Sequence, residues 1–211
     1  MSDGKPDGLS RPEVPVGIER GLSREQSFDR AVTLHRRGRI GEAEKFYRAV
    51  LNFDPDHFGA LYNLSILAGQ QARWLEAERL IRRALTLNPG SQQLHNNLGM
   101  TLASLGRLED ACVEYEKAVA LDPADVEARN NLGNALLQTE QTAEAITQLE
   151  EAVRIKPAYA EAHNSLGAAL FHAGRTREAI TQFAAALRIK PDYVEARRNL
   201  EQMLARLPVE N

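Results

Sequence analysis

From residue 24 to about residue 206, large apolar residues recur at helical spacing, stop, and resume, so the pattern predicts amphipathic helices broken at regular intervals. Proline punctuates the breaks at 55, 89, 123, 157 and 191, a constant spacing of 34 residues. A fixed period of this length marks stacked structural units. With this proline as position 32, the units are 24–57, 58–91, 92–125, 126–159 and 160–193, and a partial sixth begins at Val194. The other columns then align without gaps. Position 8 is small (Ala31, Ser65, Gly99, Gly133, Gly167) and position 20 is alanine throughout (Ala43, Ala77, Ala111, Ala145, Ala179). Position 24 is bulky (Tyr47, Ile81, Tyr115, Leu149, Phe183), and position 7 is leucine from Leu64 through Leu98, Leu132 and Leu166 to Leu200.

Two apolar stripes separated by a break near position 15 predict a helical hairpin in each unit. Small residues at 8, 20 and 27 let the backbones approach, while the large ones fill the space between layers. Gly38, Gly106 and Gly174 at position 15 suit a left-handed helix C-cap, with Ala72 and Glu140 as departures in the other two units. The proline, lacking an amide hydrogen, ends the second helix. Such units cannot bury their stripes alone, so residues 194–207 are read as a capping helix, with Leu200 and Leu204 continuing the stripe and Arg197, Arg198, Glu201 and Arg206 facing water. Residues 1–22, with four glycines and three prolines, read as a flexible tail, and residues 208–211 as a second short one.

On these columns, residues 24–193 resemble the tetratricopeptide repeat family. The resemblance implies an all-α, right-handed α-solenoid of five helix-turn-helix units plus a C-terminal capping helix. Position 4, often Trp in that family, is here Ser27, Leu61, His95, Arg129 and His163. The family also implies that first helices line a concave wall and that positions 2, 5, 6, 9, 12 and 13 face a bound polypeptide. In this chain those places supply Asn63, Asn96, Asn97, Asn130, Asn131, Asn134, Asn164, Ser165 and Asn199, flanked by Tyr62, Ile66, Met100, Leu137 and Phe171. Asparagine offers one acceptor and two donor hydrogens on a short arm, so a row of it can pair with an extended peptide backbone. Asparagine is also a mediocre helix former, so its repeated use inside helices calls for a reason. The phrases NNLGNAL and EAHNSLGAAL are similar to the repeats of O-GlcNAc transferases. Gln93, Glu127, Glu161 and Glu195 at position 2 argue against a cationic carboxylate clamp.

Composition narrows the classes. The 211 residues are 43% hydrophobic and 6% aromatic, with a net charge of −3, which disfavours nucleic-acid binding because a phosphate backbone is held by clustered cations. Charge is uneven: the first two units hold 11 basic and 8 acidic residues, the next two 5 and 11. The arginines of the second unit could steer an acidic partner or a neighbouring copy, which allows self-association. Cys112 is the only cysteine, so no internal disulfide or thiolate cluster can form. No run approaches the ~20 apolar residues of a membrane span and no secretory start is visible, so the cytoplasm is the expected compartment.

Candidate chemistry dissolves into the columns. His95 and His163 share position 4 with no expected carboxylate beside them, which argues against a metal site. Cys112, next to the position 20 alanine, is expected to be a packing residue without a neighbouring base. Trp74, at position 17, is expected to fill the turn between helices. The chain thus reads as a non-enzymatic scaffold with no cofactor, metal or catalytic residue, binding another protein or an extended peptide in its groove. The alternative is a substrate-recruiting N-terminal region of an O-GlcNAc-transferase-like or other larger enzyme.

Overall fold

A computed structural model describes residues 22–205. The expected tail at 1–22 falls outside it apart from Leu22, as do residues 206–211 with the last part of the expected capping segment. Among the described residues there are eleven α-helices and no strand: α1 (Arg24–Arg36), α2 (Ile40–Phe53), α3 (Phe58–Gln70), α4 (Trp74–Leu87), α5 (Gln92–Ser104), α6 (Leu108–Leu121), α7 (Val126–Gln138), α8 (Thr142–Ile155), α9 (Ala160–His172), α10 (Thr176–Ile189) and α11 (Val194–Leu204). The chain is an all-α helical repeat solenoid.

Local chemistry sets the helix ends. Ser23 and Gln26 form a capping box at α1, and Ser91 and Asp125 accept amide hydrogens at the starts of α5 and α7. Between the two helices of each unit the backbone turns through a left-handed residue, Gly38, Gly106 and Gly174 at φ 73°, 77° and 76°. Ala72 and Glu140 take the same turn at φ 55° and 63°, despite their Cβ.

Packing follows the columns. A Cβ added to Gly99, Gly133 or Gly167 would lie 2.6, 2.5 or 2.7 Å from Tyr115, Leu149 or Phe183 of the same unit. Small residues at position 8 are therefore the space into which position 24 inserts. First helices of successive units also touch directly, α3 with α5, α5 with α7, α7 with α9 and α9 with α11, whereas successive second helices approach less closely. The stack curves toward its first helices, which makes their outer face concave. At the C-terminal end Met203 and Ala196 are buried while Leu204 is half-exposed. The covering side chain of α11 is thus Met203 rather than Leu204, one step round the helix from the expected stripe.

Position 4 differs from its expected role. His95 lies 2.7 Å from the Glu114 carboxylate through Nδ1 and 3.0 Å from the Pro89 carbonyl through Nε2, so a carboxylate does stand beside it. His163 repeats the arrangement on Gln182 and Pro157, and Arg129 donates to Gln148 and Pro123. In three units, then, position 4 clasps the preceding proline carbonyl to position 23 of its own second helix. Burial works against the Glu114 carboxylate, but hydrogen bonds from Lys117 and His95 outweigh it and hold its carboxyl below the usual range. Ser27, too short for the clasp, is buried with an unpartnered Oγ.

Ionic links join the first three units. Arg48, Glu44, Arg73 and Glu76 close a ring of alternating charges between α2 and α4, and Arg107 crosses to Glu78 at 2.9 Å. The next equivalent of Glu44 and Glu78 is Cys112, so the series stops there.

Candidate functional site

The concave wall is built by α3, α5, α7 and α9, with α1 and α11 at its ends. Because position 5 of one unit faces position 6 of the next, asparagine meets asparagine across unit boundaries. Asn131 Nδ2 donates to Asn96 Oδ1 at 3.1 Å, and Asn199 Nδ2 to Asn164 Oδ1 at 3.1 Å. Asn63 turns back to the Gly59 carbonyl at 2.8 Å. The intervening step pairs Asn130 with Ser165, and there the Asn130 Oδ1 is buried with no donor among the described residues. Much of the asparagine ladder is therefore hydrogen-bonded within the wall.

The side-chain amides of Asn97 and Asn134 have no such partner, and both residues are half-buried on the concave side. Tyr62, Ile66, Leu137 and Phe171 are half-buried, Met100 is 49% exposed, and Ser165 is buried. Apart from the buried Asn130, the wall thus offers two uncommitted amides, both half-buried.

Between α3 and α5 lies a mostly apolar cleft of about 270 Å³ lined by Ser65, Ile66, Gly69, Gln70, Trp74, Ile81, Asn97, Met100 and Thr101. It brings together three expected groove residues, Ile66, Asn97 and Met100. Trp74, expected only to fill a turn, and Gly69 are additions. A Cβ on Gly69 would sit 3.5 Å from Cζ3 of Trp74, so the glycine keeps a side chain off that edge of the indole ring. Glycine in the last turn of α3, with a tryptophan opening α4, was the available signal.

Carboxylates edge the wall toward the C-terminal units. Glu127 and Glu195 are exposed and Glu161 is half-buried at the starts of α7, α11 and α9, with Lys190 3.2 Å from Glu161. Candidate nucleophile chemistry is engaged elsewhere: Cys112 is buried, and burial pushes its thiol up. Among the described residues no three His, Cys, Asp or Glu side chains gather to hold a metal, and no helix is long and apolar enough to cross a membrane.

Models of the tetratricopeptide repeat match residues 28–57 and 130–194, and a model described as TPR repeat matches residues 99–140, so that together they span more than half of the chain. No curated protein matches. Among solved structures, YrrB, described as a TPR protein with an unusual peptide-binding site, is 23% identical with a TM-score of 0.73, covering 85% of this chain and 92% of its own. MamA from Desulfovibrio magneticus RS-1 is 21% identical with a TM-score of 0.76, covering 83% and 99%. A tetratricopeptide repeat protein from Parabacteroides merdae is 18% identical with a TM-score of 0.77, covering 88% and 73%. None of these three is an O-GlcNAc transferase, so that likeness rests on the phrases NNLGNAL and EAHNSLGAAL alone. The repeat matches and the solenoid place the chain in the tetratricopeptide repeat family.

Proposed function

We propose that the chain is a protein-interaction scaffold that holds an extended polypeptide segment against the concave wall and acts by binding alone. The observation that carries this reading is the pair of uncommitted, half-buried amides of Asn97 and Asn134, set among Ile66, Met100 and Leu137. A helix interior gains nothing from asparagine itself, whereas an amide between apolar surfaces can pair with a peptide group while side chains enter the flanking recesses. YrrB, of the same fold, is a TPR protein described as having a peptide-binding site. Binding without catalysis is supported by the engagement of the reactive candidates: His95 and His163 hold proline carbonyls, and Cys112 is buried in packing.

Amide hydrogen exchange with and without a bound peptide tests the reading. Protection is expected on α3, α5, α7 and α9. Protection confined to the second helices would overturn it.

A further inference from the structure

We propose that the cleft between α3 and α5 is the anchor subsite of the groove and that it takes one large apolar side chain of a basic peptide segment. This rests on the groove reading above and adds to it the class of ligand.

Size speaks first. An apolar cavity of about 150 Å³ is enough to hold benzene, so a cleft of about 270 Å³ has room for a phenyl or indole side chain, while it falls just below the roughly 300–1,000 Å³ typical of sites for whole small molecules. Chemistry agrees. Ile66, Ile81, the Trp74 ring and the Met100 thioether supply apolar surface, and Gly69 puts no side chain against the near edge of the ring. Met100 is half out in solvent, and an unbranched thioether adapts to the shape of what enters. The polar edge is Asn97, whose amide is uncommitted because position 5 of the preceding unit is Tyr62 rather than asparagine. One amide to hold the peptide backbone and one apolar recess to receive the adjoining side chain is the pattern of extended-peptide recognition.

Charge selects the flanks. Beyond the cleft Glu127, Glu161 and Glu195 open α7, α9 and α11 along the wall. Lys190 stands 3.2 Å from Glu161 and Asn164 donates to Glu195 at 3.3 Å, while the other acidic residues of the third and fourth units lie on their second helices or in turns. A segment continuing from the cleft along that wall meets carboxylates, so cationic side chains on it gain attraction and a faster encounter. An acidic segment is repelled.

The molecule carries its own reporters. Trp74 is the sole tryptophan and lines the cleft. Met100 lies at the same place, while Met203 is buried under the cap as an internal control. The experiment pans a display library of random linear peptides on the full chain, then titrates a recovered, tryptophan-free peptide while following Trp74 emission and the methionine methyl resonances. Recovered sequences are expected to pair a Phe, Leu or Met with nearby Lys or Arg. Binding should shift Trp74 and Met100 but not Met203. Replacing the anchor by Ala should weaken affinity about 10- to 100-fold, and Met100→Glu should cost at least about tenfold with an unchanged helical signal.

Peptides that bind with Trp74 and Met100 silent while the Asn134 side-chain amide responds would overturn the anchor and leave the groove reading intact. Failure of the library to yield any binder that perturbs the concave wall would overturn both. A shift of Trp74 emission on deleting residues 1–21, or on diluting the protein without peptide, would show the cleft filled by the chain's own segment or by a second copy, and would overturn the peptide assignment.

Discussion

Asn131 reaches back across a unit boundary and donates its side-chain amide to Asn96 at 3.1 Å. The bond sets some asparagines of the concave wall apart from the others. Asn96, Asn131, Asn164 and Asn199 stitch neighbouring units together, Asn63 bonds within its own helix, Asn130 is buried with an unpartnered oxygen, and the half-buried Asn97 and Asn134 keep their amides for something else.

Asn97 and Asn131 should therefore respond differently to truncation. Asn97→Ala removes no hydrogen bond of the folded chain, so its melting temperature is expected to stay within about 1 °C while affinity for a groove peptide falls about 3- to 10-fold. Asn131→Ala leaves the Asn96 oxygen without its donor at a cost of roughly 0.5–1.5 kcal/mol. For a chain of this size that lowers the melting temperature by about 2–4 °C per kcal/mol. Thermal denaturation of both variants beside peptide titration checks the separation; equal destabilisation would show that Asn97 is also structural.

The Asn130 step supplies a gain rather than a loss. Asn130 is 7% exposed and its Oδ1 has no donor, because Ser165 stands where Asn131 and Asn199 stand in the equivalent pairs. Ser165→Asn places an amide hydrogen opposite that oxygen. The expected stabilisation is about 1 kcal/mol, read as a higher melting temperature, and it should vanish in an Asn130→Ala background.

Glu140 and Ala72 hold left-handed turns that their Cβ atoms oppose. Relief of that opposition is worth about 1–2 kcal/mol per residue, offset in part by the greater freedom glycine gains when unfolded, about 0.5–1 kcal/mol. Glu140→Gly and Ala72→Gly are each expected to stabilise by a few tenths to about 1 kcal/mol. Gly106→Ala should destabilise, and chemical denaturation midpoints report all three.

Much of this architecture is legible in the chain because helix period, proline stops and small columns are local properties. The first helix of every unit begins at position 1, from Arg24 to Val194. Partnership across units is less legible. Asn96 and Asn131 are 35 residues apart, and whether their amides meet depends on how far each unit is rotated on its neighbour. Likewise, the face of α11 that turns inward, with Met203 and not Leu204 buried, follows from its seating on α10. The Glu114 carboxylate beside His95 did leave a trace: positions 4 and 23 are both apolar in Leu61 and Leu80 and both polar in His95 with Glu114, Arg129 with Gln148 and His163 with Gln182. That matching within single units marks a contact without any knowledge of the stack.

The ionic links predict an acid-labile N-terminal half. Burial raises the carboxyls of Glu44 and Glu78, but hydrogen bonds from Arg48 and Arg73 to the first, and from Arg82 and Arg107 to the second, outweigh it and leave both below the usual value. A carboxyl depressed in the folded state binds its proton more readily when unfolded, so its contribution is complete above the unfolded pKa of about 4.3 and is lost as pH falls through the lower folded value. Stability should therefore hold from pH 7 to about pH 5 and drop below about pH 4. Units one to three are joined by these pairs, whereas Cys112 and Gln141 replace the pair at the next boundary. Glu151 on α8 and Glu178 on α10 are also held below the usual value, by Arg154 and Arg175, but those are exposed pairs three residues apart that join no two units, so acid should speed amide exchange in α2 and α4 more than in α8 and α10. Because the groups are partly exposed, screening limits each pair to a modest share, and added salt should shrink the difference. In Glu44→Gln with Glu78→Gln the acid sensitivity of α2 and α4 should fall toward that of the C-terminal units, and an undiminished acid response in that variant would place its origin elsewhere, with the His95–Glu114 clasp as the next group to replace.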